Sequence, residues 1–292
     1  MSIQNASMLI DLNISTWTGR KLDKRVSEEI DHAKGTKVKA GNYNKQLLAG
    51  ADKLAEVQKI VGQIRTWHYE QTLPWSDGGS RLLPMKNFFD YKNTLASLEQ
   101  EFEAAVRDFL QEYPQLVSNS AFALGALFDR GEYPDVEDIQ HKFKFRYAFM
   151  PLPEAGDFRV DCGDSVKQEL EAQYKEFYDN KLKEAMTDMW NRLHETLTHM
   201  SDKLSNSEQP RKLKNGEEVH TKIFRDSMVE NAVELCGLLT KLNVSNDTQL
   251  ELARQKLEKA IHGVDAKTLR DSDEVRLSVK KQVDDILSAF NF

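Results

Sequence analysis

The chain has 292 residues, 40% hydrophobic and 30% charged, which is enough for one large domain or two ordinary ones and excludes a disordered chain. A net charge of -7 excludes wholesale attraction to nucleic acid or to an anionic membrane, although a local basic patch is compatible with an acidic total. With only 14 Gly and 7 Pro there are few turns for the length, so the elements should be long.

Met8 to Trp17 alternates apolar and polar residues and predicts a strand that Gly19 ends. Leu22, Val26 and Ile30 then predict a short helix over 20–33. Its basic start (Arg20, Lys21, Lys24, Arg25) stands where the helix dipole prefers acids, and is either a contact patch for phosphate or a partner, or a solvated face. A link containing Lys and Gly, Gly35 to Gly41, leads to a second helix over 43–71. The stretch Leu73 to Pro84 is the most irregular. Pro74, Gly78, Gly79 and Pro84 oppose regular structure, while Trp75, Leu82 and Leu83 are too apolar for an idle loop. Either the loop tucks its aromatic onto the helices, or Trp75, Asp77, Gly78, Gly79 and Arg81 form an interaction surface.

A third helix is expected from Pro84 to Tyr113, a shorter apolar one after Pro114 as far as Phe128, and another over 135–141 behind Pro134. From Lys142 to Phe149 every second residue is aromatic, and the opposite face carries Lys142, Lys144 and Arg146. After a turn rich in Pro and Gly, Asp157 to Asp161 completes an antiparallel hairpin, with Met8 to Trp17 as the natural third strand of a small sheet.

The longest periodic stretch runs from Ser165 to Leu204. Its apolar positions, from Val166 through Phe177, Met189 and Leu197 to Leu204, step by three and four with a single five. That implies a rod of roughly 60 Å at 1.5 Å per residue. Such a stripe must pack on other helices, on a second copy or on a partner. Its heptads are too imperfect for a clean two-stranded coiled coil. Beyond a polar stretch over 206–216, which is a short hairpin or a connector, helices are expected over 218–242, 247–262 and 273–290. The expected organisation is a mixed helical region with the sheet over 1–162 and a long-helix bundle over 163–292, together one continuous unit.

Catalytic signatures are absent. There is no phosphate loop, dinucleotide fingerprint, nucleophile elbow or EF-hand loop. His194 and His199 are five apart, and at about 100° per residue that spacing turns them onto different faces of a helix, unlike the two histidines of HExxH. Cys162 and Cys236 form no CxxC, which points to no metal site, no disulfide framework and a reducing compartment. Asp11 interrupts any apolar leader, and the longest apolar run, Ala121 to Phe128, is too short to span a bilayer. No cofactor, metal or membrane is expected.

The segments Leu9 to Asp23, Thr72 to Pro84 and Pro153 to Asp161 together resemble a family of tailed-bacteriophage proteins of unknown function, over nearly the whole chain. The resemblance implies a phage-encoded protein in the cytoplasm of a bacterial host, with a place in the virion left open. Its gene setting near MoxR-type ATPases implies an adaptor or substrate role toward an AAA+ ATPase. The expectation is therefore a mainly α protein, an elongated helical bundle with a very long central helix and a small antiparallel sheet of about three strands. Its function is non-enzymatic, acting through a protein partner or a homo-oligomer. The alternative is binding or annealing of single-stranded nucleic acid by the strip Lys142, Lys144, Arg146 and Arg159.

Overall fold

The computed structural model describes residues 3–48, 50, 52–153, 164–205, 209–212, 218–221 and 226–290. In chain order the first half contains α1 (Ile3–Ala6), β1 (Ser7–Ser15), β2 (Arg20–Asp23), α2 (Lys24–Ala33), β3 (Tyr43–Gln46), α3 (Asp52–Gln71), β4 (Leu73–Pro74), β5 (Arg81–Pro84), α4 (Phe88–Leu124), α5 (Val136–Gln140) and β6 (Lys144–Pro151). The second half contains α6 (Asp164–Ser205), β7 (Gln209–Lys212), β8 (Glu218–Thr221), α7 (Asp226–Leu242), α8 (Thr248–Ile261), α9 (Ala266–Asp271) and α10 (Asp273–Ala289). The protein is mainly α, with a 42-residue helix and a small sheet in the order β4-β5-β1-β6.

The chain forms two compact units that interleave along the sequence. The first comprises residues 1–11, 69–90 and 149–292; the second comprises 12–68 and 91–148. In the first, α6 packs on α10, α7 and β4, and α7 packs on α8. The second half of the predicted stripe is its spine: Ala185, Met189, Leu193 and Leu197 are fully buried, with Met200 and Leu204 almost so. The first half behaves differently, since Val166 and Phe177 stay exposed. In the second unit α3 and α4 supply the core through Val57, Ile64, Phe102, Phe109 and Tyr113, closed by Tyr133 and Phe143.

Several sequence expectations need correction. The helix predicted over 20–33 begins only at Lys24, because Asp23 caps it by accepting a hydrogen bond from the Val26 amide at 3.1 Å. The preceding residues form β2, which pairs antiparallel with β3 in the register Arg20 with Gln46 and Asp23 with Tyr43. That pairing also shortens the next helix, which starts at Asp52 rather than at Tyr43. Gly19, with φ of +64, turns the chain into β2, and a β-carbon there would lie 2.6 Å from the Leu54 Cδ2. Pro114 does not end its helix: α4 runs through it to Leu124. A proline removes its own amide bond, and the buried Phe109, Tyr113 and Val117 on both sides of it hold the two halves together.

The irregular stretch over 73–84 contains two short strands. β5 pairs antiparallel with β1, Met8 opposite Leu83, and with β4, Leu73 opposite Leu82. β1 and β6 do share the sheet, as alternation predicted, while the expected third strand Asp157–Asp161 lies outside the described residues. The polar stretch after α6 forms a hairpin, Gln209–Lys212 with Glu218–Thr221, so the following helix begins at Asp226. Asp247 caps α8 by accepting from the Gln249 and Leu250 amides, and α9 was not foreseen.

Candidate interaction surfaces

The loop after α3 is built from both of its ends. Ser76 and Ser80 close it, the Ser76 amide donating to the Ser80 carbonyl at 3.1 Å and the Gly78 amide to the Ser76 hydroxyl at 3.2 Å. Gly79 has φ of +108, which favours glycine. Trp75 is only 5% exposed and meets Tyr178 edge-on at 5.3 Å, so the aromatic is tucked into the core. Burial pushes the Tyr178 phenol up to about 12. Asp77 is fully exposed at the tip and lies 3.5 Å from the Lys181 ammonium. Arg81 donates to the Thr72 hydroxyl at 2.7 Å and to the Thr72 carbonyl at 3.2 Å.

A second arginine fixes the same place. Arg192 on α6 donates to the carbonyls of Glu70, Tyr69 and Thr72 at 2.7 to 2.9 Å, and its Nε lies 2.8 Å from Asp188. These are the carbonyls that the end of a helix leaves without partners, and cations are favoured beside them. Next to them an open groove of about 540 Å³ runs along α6, lined by Pro74 and by polar side chains including Asn180, Lys183, Thr187 and Asn191.

On β6 the predicted alternation holds. Phe143 is buried against Phe109 at 5.5 Å and Phe145 packs on Phe102 at 5.7 Å, whereas Lys142, Lys144 and Arg146 are exposed. Tyr147 departs from the pattern, being 40% exposed. The strand therefore presents its cations on one face, while Tyr147 meets Phe145 on the other at 6.1 Å. Arg159 lies outside the described residues.

Apolar side chains also stand in solvent. Phe122 is 91% exposed near the end of α4, among exposed Ala121, Ala123 and Ala126. Phe89 is 71% exposed and touches Phe88 edge-on at 5.3 Å. The run over 121–128 and its position at a helix end were visible in the sequence, but the outward Phe was not.

The buried polar centre of the second unit is Lys45, 5% exposed. Its ammonium lies 2.7 Å from Glu132 and 3.3 Å from Asp23, and it donates to the Leu127 carbonyl at 2.8 Å. Burial opposes its charge, but hydrogen bonds to Glu132 and Asp23 outweigh burial and raise its pKa. The ammonium donates a hydrogen bond to the Leu127 carbonyl and has two carboxylates at ion-pair distance. The site is built as an anchor. His194 and His199 are both on α6, and among the described residues no group of three or more His, Cys, Asp or Glu could hold a metal ion. Among the described residues no helix is long and apolar enough to cross a membrane.

A family described as "Protein of unknown function (DUF3150)" matches residues 5–210. No curated protein and no solved structure matches the chain.

Proposed function

The chain belongs to the DUF3150 family, and on that premise we propose that it is a non-enzymatic adaptor or structural protein that binds a protein partner, or a second copy of itself, through apolar side chains left exposed on its helices. The observation that carries this reading is Phe122, a large aromatic 91% exposed in an apolar helix end. Leaving such a ring in water forgoes about 1.5 to 3 kcal/mol of burial, and aromatics of this kind anchor protein interfaces. Trp75 is already spent on the core, so in the loop only Asp77 and the glycines remain for a partner. The phage and host-cytoplasm setting, and an AAA+ ATPase as the partner, rest on the resemblance of the segments quoted above.

The test is affinity purification of the tagged chain, with and without nuclease, beside Phe122→Ser. An exposed side chain can be changed without loss of fold. A stoichiometric protein or a self-assembled species that survives nuclease and is lost in the variant is the expected result. A monomer that retains nothing, or retention unchanged by F122S, would sink the reading. A second reading is favoured by the exposure of Lys142, Lys144 and Arg146: a strip that holds single-stranded nucleic acid by phosphate contacts.

A further inference from the structure

The segment from β2 to β3 is an arm in which an amphipathic helix is inserted into a two-stranded ribbon. Its frame is fixed by hydrogen bonds. The Ser27 hydroxyl donates to the Asp23 carbonyl at 2.6 Å and accepts from the Tyr43 amide at 2.9 Å. At the base, the Leu47 amide donates to the Gly19 carbonyl at 2.8 Å, and the Gln58 side chain donates to the Trp17 carbonyl at 3.2 Å. Lys45, on β3, is held by Glu132 and by the Leu127 carbonyl.

The outer loop of the arm is ordered as well. The Thr36 amide and hydroxyl both donate to the Asp31 carbonyl, at 3.0 and 3.2 Å, and the Asp31 carboxylate accepts from the Ala40 amide at 3.3 Å. Gly35, with φ of +66, donates to the His32 carbonyl. All residues of 32–42 are exposed. This loop carries Lys34, Lys37 and Lys39, and Arg20, Lys21 and Lys24 stand exposed at the start of the arm. None of these six has a carboxylate at ion-pair distance among the described residues, whereas the neighbouring Arg25 pairs with Glu29 at 3.5 Å. Lys24 and Arg25 in the first turn of α2 oppose the helix dipole; Arg25 is compensated by Glu29, whereas Lys24 breaks the local rule with no carboxylate at ion-pair distance among the described residues.

We propose that this arm binds the phosphate backbone of double-stranded nucleic acid without regard to sequence. Composition selects that ligand over an acidic protein. Protein interfaces are depleted in Lys and enriched in aromatics and Arg, while the arm presents five lysines over 20–42, and Tyr43, its one Phe, Trp or Tyr, is half-buried on β3. The lack of an exposed Phe, Trp or Tyr also selects duplex over single strand, because sequence-tolerant single-strand sites depend on aromatic platforms. Lysines on a loop held by backbone bonds meet phosphates with little ordering cost. The surface is distinct from β6, and the inference stands whether or not Phe122 binds a protein.

The test is fluorescence anisotropy on the full chain with a labelled duplex of about 30 base pairs, in two unrelated sequences, and with the matching single strand. Salt is titrated from about 50 to 200 mM. Wild type is compared with Lys34→Glu/Lys37→Glu/Lys39→Glu, with the same three positions as Gln, and with Lys142→Glu/Lys144→Glu/Arg146→Glu, each checked for fold by circular dichroism. The expected result is duplex binding equal for both sequences and weakened about tenfold or more by either loop variant. The slope of log affinity against log salt should become shallower by about 0.9 for each lysine that touches a phosphate. The β6 variant should bind duplex as wild type does. No duplex binding at low salt, loop variants that bind like wild type, or a preference for the single strand removed by the β6 variant would each overturn the proposal.

Discussion

The two units solve the same problem with different materials. The core of the first is aliphatic: Leu, Met, Val and Ala from α6, α7, α8 and α10, with Trp75 and Tyr178 at one end. The core of the second sets a cluster of rings against the aliphatic side chains of α3, with Phe109 meeting Tyr113 at 5.7 Å and Phe143 at 5.5 Å and Trp17 meeting Tyr113 edge-on at 5.9 Å, and it contains the buried ammonium of Lys45. Long helices satisfy their own backbones, so the first unit needs only area, spread over many side chains. The second unit must hold the β2–β3 ribbon and the stretch 125–135, which has only two single-turn 3-10 helices, and the polar groups there need directed bonds. Stability there is concentrated at few points.

That contrast predicts an order of effects. Lys45→Met leaves Glu132 and Asp23 facing each other without their cation and frees the Leu127 carbonyl; a loss of about 4 kcal/mol is expected. Leu193→Ala, at a fully buried position of α6, should lose about 3 kcal/mol through transfer and cavity terms. Urea unfolding measures both losses, and hydrogen exchange places them. Exchange should accelerate over 19–47 and 125–135 in the first variant, and along the second half of α6 in the other. If Leu193→Ala proves the costlier, or if Lys45→Met speeds exchange evenly across both units, stability is not concentrated as described.

The same contrast explains what could be read from the sequence. The long helix, with predicted limits of Ser165 and Leu204 against observed limits of Asp164 and Ser205, was legible because its period of three and four repeats over many turns. The inner face of β6 was legible for the same reason, at period two. The arm was not, because Leu22, Val26 and Ile30 fit a helix while the pairing of Leu22 with Asn44 depends on a strand more than twenty residues away. Nor was the continuity of α4 through Pro114, where tertiary packing overrides a local breaker. The partnership of Lys45 with Glu132 spans 87 positions and leaves no local mark. Trp75 stood open between core and surface, and only its contact with Tyr178 places it in the core.

The smallest expected effect isolates the charge of Asp23 from its capping role. Its carboxyl is held below the usual carboxylate range, first by the hydrogen bond from the Val26 amide and then by Lys45. A carboxyl whose folded pKa is depressed adds stability above its unfolded value, near 3.8, and loses it as pH falls through the folded value. Asp23→Asn keeps an oxygen for the Val26 amide, and Asn caps helices about as well as Asp. What the variant lacks is the negative charge beside Lys45. Wild type should therefore be the more stable of the two at pH 6, with the gap closing as pH falls below about 4. Thermal unfolding of both proteins from pH 6 down to pH 3 measures the gap. A difference that persists unchanged at pH 3 would assign the role of Asp23 to cap geometry alone and leave Glu132 as the single counter-charge of Lys45.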